Sequence, residues 1–182
     1  MNIFYAYDSS SYNNYNFTGL IKSPKKITDI QKEILNIPNF CRKQQSISVK
    51  ELKSYLVSGI SFFTEDKSGN ILGLINFDIN FPRMNILGLC VPEPSAGIGS
   101  LLIKSVKDFA QTNNITLIKL TCYDDVYSFY EKLGFKITDK STFYDSDNED
   151  EDNKIRYEME FDFNQLSGGK TRKTRKTRKS RR

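Results

Sequence analysis

Residues 87–109 read LGLCVPEPSAGIGSLLIKSVKDF, and this stretch constrains the fold more than any other. An apolar run is stopped by Pro92 and Pro94, neither of which can donate to a strand ladder. A short loop follows, and Gly97-Ile98-Gly99 then opens a segment in which Ile98, Leu101, Leu102, Val106 and Phe109 recur at helical spacing. The stretch therefore reads as strand, tight loop, helix. Glycine at the entry lets the backbone approach a ligand closely. The first amides of a helix have no internal acceptor and carry partial positive charge. Such an entry suits an anion of the pyrophosphate type.

The flanking sequence alternates element types. Ser48-Val-Lys-Glu51 has the form of a capping box, and the helix it starts ends at Gly59. Ile60–Glu65 and Ile71–Asn80 read as a hairpin turning at Lys67-Ser-Gly-Asn70, and Met84–Val91 as a third strand. Ile115–Cys122 is a buried strand. Val126, Phe129, Tyr130 and Leu133 form the stripe of a short helix, capped by Asp124 or Asp125 and ended by Gly134. Phe135–Phe143 and Lys154–Phe163 close the chain as a strand pair. In the latter, Ile155, Tyr157, Met159, Phe161 and Phe163 alternate with charged residues, the mark of a half-buried antiparallel strand. Ile3–Tyr7 reads as a strand and Ile27–Ile37 as a helix. The expected class is α+β, a mixed, mostly antiparallel central sheet flanked by helices.

Three nucleotide-binding patterns share a glycine-rich helix entry. A dinucleotide fingerprint needs a third glycine where Leu102 stands. Gly169-Lys170-Thr171 ends like a phosphate-binding P-loop, but Asn164 stands where its first glycine is required. Pro94-Ser95-Ala96-Gly97-Ile98-Gly99 resembles the third, the [RQ]-x-x-G-x-[GA] signature of GNAT N-acetyltransferases, with Pro94 in place of the leading Arg or Gln. A second motif of that family is Tyr-x-x-x-Gly-Phe at the end of the helix after the next strand. Tyr130-Glu131-Lys132-Leu133-Gly134-Phe135 matches it in order and spacing.

The resemblance implies an acyl-CoA N-acyltransferase-like fold over residues 1–166 and acetyl-CoA as co-substrate. It implies that amides of Ala96, Gly97, Ile98, Gly99, Ser100 and Leu101 hold the pyrophosphate. Leu89, Cys90 and Val91 would pair with the pantetheine amides as an added strand would. Tyr130 would protonate the departing thiolate, since a phenol's pKa lies above a thiol's. Direct transfer leaves Cys90 a structural thiol. Tyr123 stands where the family often has Asn. For the general base, Asp78, on a strand face with Asn76 and Asn80, and Glu93 both remain open. So does the acceptor amine, whether a small polyamine, a protein N-terminus or a lysine. The alternative reading is an adaptor that retains CoA without turnover.

Composition narrows the chemistry further. The 182 residues include no histidine, which removes the usual neutral-pH base and the commonest zinc ligand. Cys41, Cys90 and Cys122 form no CxxC pair and read as buried free thiols, with no metal site. No apolar run reaches the roughly 20 residues of a membrane span, so the expectation is a soluble intracellular protein.

The charge is +5 overall but unevenly placed. Nine of the 27 basic residues lie after Ser167, in GGKTRKTRKTRKSRR. The rest holds 18 basic against 22 acidic residues, about −4. Six carboxylates crowd Asp145–Asp152, a solvated loop. Residues 167–182 read as a disordered tail, with nonspecific nucleic-acid contact through residues 170–182 as one role and solubility or localisation as another. In composition the Gly-Gly-Lys-Thr-Arg-Lys ending resembles those on proteins of large DNA viruses.

Overall fold

The computed structural model describes residues 1–37, 40, 49–92, 97–143 and 154–167. In chain order the elements are β1 (Phe4–Ala6), β2 (Ile21–Lys22), α1 (Ile27–Asn36), α2 (Val49–Ser58), β3 (Ile60–Glu65) and β4 (Ile71–Asn80). There follow β5 (Arg83–Cys90), α3 (Ile98–Thr112), β6 (Leu117–Tyr123), α4 (Tyr127–Lys132), β7 (Lys136–Phe143), β8 (Lys154–Asp162) and α5 (Phe163–Ser167). The strands form one sheet in the order β2-β1-β3-β4-β5-β6-β8-β7. Only β1–β2 and β5–β6 pair parallel, so the sheet is mixed and mostly antiparallel, as expected. The parallel β5–β6 step requires a crossover, and α3 supplies it.

Alternation along the strands separates two apolar faces. On one, Phe62, Ile75, Phe77, Met84, Ile86, Leu89, Ile118, Leu120, Met159 and Phe161 pack against the α3 stripe of Ile98, Leu102, Val106 and Phe109. Phe62 and Phe77 meet edge to face, and both contact the Phe109 ring. Burying a side chain of this size stabilises by roughly 1.5–3 kcal/mol. On the other face, Ala6, Phe63, Ile71 and Leu74 receive Ile27, Ile30 and Ile34 of α1 and Leu56 of α2. Lys25 ties α1 to the β3–β4 hairpin, with Glu33 and Glu65 each 2.7 Å from its Nζ. Past β5 this second face carries no helix among the described residues, and Asp78, Asn85, Lys119 and Glu160 line it in register.

Several expectations need correction. The short helix α4 begins after Val126 with no side-chain cap, so neither Asp124 nor Asp125 caps it. β8 ends at Asp162 and pairs with β6 as well as β7, and α5 continues from Phe163. A 3-10 turn at Ser10–Tyr12 and the short strand β2 carry too few residues to show periodicity. Cys122 is free and buried, as expected, but Cys90 is disulfide-bonded, so the free-thiol reading fails for it. Spacing along the chain cannot reveal such a bridge, because it depends on contacts distant in sequence. Ser48, Cys41, the acidic loop and the basic tail lie outside the described residues. No described helix is long and apolar enough to cross a membrane.

Candidate active site

The sheet opens at one place. β5 and β6 pair from Arg83↔Leu117 to Ile86↔Leu120 and no further. β5 nevertheless continues through Leu89 to Cys90, and β6 through Thr121 to Tyr123. β4 remains paired with β5 beyond that point, through Ile75↔Leu89 and Leu74↔Cys90. The two central strands therefore fork, and among the described residues the β5–β6 ladder does not continue there. A bulge between Asn76 and Phe77 skips Leu87 in the β4–β5 register just where the fork begins. Bulges of this kind bend a strand and end pairing.

The helix entry stands beside the fork. Gly97 is the residue before α3, and its φ of +72° lies in the left-handed region that glycine tolerates best. A Cβ there would meet nothing, so conformation rather than space requires this glycine. Gly99 is different: a Cβ would come within 3.2 Å of Phe129 Cζ on α4 and 3.7 Å of Leu89 Cδ2 on β5. Gly73 of β4 completes the seat, since a Cβ there would fall 2.6 Å from Ile98 Cγ2. The first turn of α3 is thus pressed onto β4, β5 and α4 together. Its first turn carries no acidic residue. Leu101 N–H donates to the Gly97 carbonyl at 3.1 Å, the first bond of the helix. The amides of Ile98, Gly99 and Ser100 precede that first helical bond and have no acceptor within the helix. Ala96 and Glu93 lie outside the described residues.

Tyr130 is 3% exposed and sits on the α3 side of the sheet, its ring edge-on to Phe129 and Phe135. Burial, then the neighbouring Cys122 thiol, pushes its pKa well above the ordinary phenol value, so the hydroxyl stays protonated. No described residue takes a hydrogen bond from it. Burial also pushes the Cys122 thiol up to about 12, with Asp125 adding to the effect. That leaves Cys122 a thiol without nucleophilic character. Of the two candidate bases, half-buried Asp78 accepts from Asn85 Nδ2 at 2.8 Å. Asn76, fully buried, donates to Ser61 Oγ and the Ile60 carbonyl and belongs to the β3–β4 joint.

At the crotch of the fork is a cavity of roughly 280 Å³, lined by Asn85, Leu87, Lys119, Thr121, Glu158 and Glu160 among others. Residues 31–147, well over half the chain, match the family described as an acetyltransferase (GNAT) domain. The chain belongs to the GNAT acetyltransferase family. No curated protein matches it in sequence. Among solved structures it is similar to the ribosomal-protein-S18-alanine N-acetyltransferase from Escherichia coli, at 15% identity and TM-score 0.63, over 77% of this chain and 91% of that one. It is also similar to the IAA acetyltransferase from Bacillus cereus, at 17% identity and TM-score 0.57, over 70% and 93%. A GNAT family acetyltransferase from Elizabethkingia anophelis, solved with acetyl-CoA bound, matches at 22% identity and TM-score 0.55, over 63% and 83%.

The GNAT match ends at residue 147 and does not reach the basic tail. Within the matched region, Leu89, Cys90, Val91 and the α3 entry come together at the fork. Tyr130 packs against Phe129, the α4 residue that neighbours Gly99 at the α3 entry. Sequence reasoning found Phe129 only as part of the α4 stripe and missed the place of Gly73 against the α3 entry, a matter of packing that no spacing announces. Glu158 was legible only as one of the charged residues alternating along β8.

Proposed function

We propose that the chain transfers the acetyl group of acetyl-CoA directly to a primary amine. The fork between β5 and β6 beside an acid-free α3 entry carries this reading. An open strand edge offers ladder hydrogen bonds to an amide-bearing arm. Helix amides alongside offer an anion site. In this reading the amides of Gly97, Ile98, Gly99 and Ser100, with Ala96, hold the pyrophosphate, while Leu89, Cys90 and Val91 present the strand edge.

The co-substrate supplies an activated acyl thioester. The residues must then do three things. Backbone donors at the fork polarise the thioester carbonyl as negative charge develops on its oxygen. The neutral amine nitrogen bonds to the carbonyl carbon, and the carbon–sulfur bond breaks. Tyr130, held protonated by burial, gives its proton to the departing sulfur and regains through solvent the proton that the attacking nitrogen sheds as it becomes the amide. Asp78 reaches the amine only through water, because Asn85 holds it. Family membership favours this catalytic reading over the adaptor reading.

The test is a screen of amines with radiolabelled acetyl-CoA, alongside calorimetry with CoA. Label transfer to an amine supports the proposal. CoA binding without transfer to any amine would replace it with the adaptor reading, and absence of CoA binding would remove both.

A further inference from the structure

We infer that Glu158 selects the acceptor: it binds a second cationic group of the amine, so that short diamines are preferred over monoamines of the same length. This rests on the acetyl-transfer reading for the attacking nitrogen, and on the cavity at the fork for the rest.

Two neighbouring rows of residues cross the sheet at this cavity. In the row just inside the fork each polar side chain has a partner. Asp78 pairs with Asn85, Asn85 with Lys119 and Lys119 with Glu160 in the strand register. Asn85 donates to Asp78, and Lys119 Nζ lies 2.5 Å from Glu160 Oε1. The next row is where β5 and β6 have parted. Thr121, the first β6 residue beyond the last β5–β6 pair, stands opposite Glu158.

Glu158 has no such partner among the described residues. Lys119, which lines the same cavity, is committed to Glu160, Asp139 of β7 stands opposite Glu158 in register, and Arg156 makes no ion pair with it. Its side chain lines the cavity together with Thr121 and Lys119 and is exposed to solvent. One strand spacing, about 5 Å, separates it from the arm of the fork. An alkyl spacer of about four carbons covers that gap. An amine attacking within the fork can therefore place a second ammonium on Glu158, while a monoamine leaves the carboxylate to water. An exposed pair of this kind gives several-fold selectivity rather than absolute discrimination.

Butylamine and 1,4-diaminobutane are matched probes, used with the full chain and acetyl-CoA. The diamine should show roughly threefold to fivefold higher kcat/KM. Glu158→Gln should raise the diamine KM roughly threefold to fivefold, leaving its kcat, the butylamine KM and the acetyl-CoA KM unchanged. Equal use of the two amines by the wild type, or a diamine preference that survives Glu158→Gln, overturns the inference. Calorimetric binding of 1,4-diaminobutane provides a readout without turnover. Binding that Glu158→Gln weakens several-fold supports the site even if no amine is acetylated, in which case it is the acetyl-transfer reading that falls. Binding indifferent to the substitution overturns the site whatever the rates.

Discussion

Phe129 of α4 lies against Gly99 in the first turn of α3, its Cζ 3.2 Å from where a Cβ at position 99 would stand. The glycine thus serves two ends, packing against α4 and an open amide surface at the helix entry. The two separate by substitution. Gly99→Ala adds only the methyl, which the ring tip can accommodate by a small shift, so it should cost about 1 kcal/mol of stability and leave CoA affinity within a few-fold. Gly99→Asp adds a carboxylate at the helix entry and should weaken CoA binding more than tenfold while the protein remains folded. Thermal melts and calorimetry check both. Equal affinity in the aspartate variant removes the anion role of the α3 entry.

Tyr130 is buried as a residue, and its hydroxyl is protonated and without a hydrogen bond to a described residue. Removing it should therefore cost the fold little, since no partner is left unsatisfied. Tyr130→Phe should melt within a few degrees of the wild type, keep its acetyl-CoA KM and lose kcat by about 10²-fold, the scale of a lost proton donor. Initial rates with a saturating acceptor measure this. Unchanged kcat with chemistry limiting makes Tyr130 a core residue alone.

Lys107 of α3 is half-buried with its ammonium 3.5 Å from the Phe161 ring centroid and 4.9 Å from that of Phe135, donating to the Leu133 carbonyl. Burial lowers its pKa to about 8, against about 10.4 in the unfolded chain. Between those values the unfolded state binds more protons, so this group makes stability rise with pH from about 8 to 10. Solvent contact limits the rise to about 1–2 kcal/mol. Lys107→Met keeps the apolar stem and removes the titration. The wild-type minus variant difference in urea midpoint should therefore change in the wild type's favour between pH 7.5 and 9.5. A pH-independent difference rules out the burial effect.

What the sequence made legible was whatever depends on neighbours along the chain. The strands from Ile60 to Asn80 fall at their expected bounds, because alternation and turn residues are local. The α3 entry was legible because a left-handed glycine leaves its mark in composition. The fork was not, since it depends on where β5 and β6 stop pairing, a relation between segments some 30 residues apart. The Asn16–Asn113 clasp, with hydrogen bonds of 2.7 and 2.9 Å across 97 residues, was hidden for the same reason. So was the place of β8 between β6 and β7: two strands adjacent in sequence pair with each other, but nothing local says which of them also faces β6.

The charge asymmetry allows one more test. Residues 168–182 carry nine of the basic residues and no acidic ones, and removing them takes the net charge from +5 to −4. We expect any DNA or RNA binding to reside in that segment, because a net-acidic body repels phosphate while a run of Lys and Arg binds it by releasing counterions. Truncation after Ser167 should leave CoA affinity and thermal stability unchanged, since the fork, the α3 entry and both apolar faces are built from residues before that point. It should abolish a gel shift with duplex DNA. In the full chain that binding should fall steeply between 50 and 200 mM salt, with a log–log slope set by the number of phosphates engaged. The acidic run Asp145–Asp152 competes for the same cations, so neutralising its carboxylates to amides should strengthen nucleic-acid binding in the full chain and do nothing in the truncated one. A gel shift that persists after truncation would place the binding in the body, against its net charge.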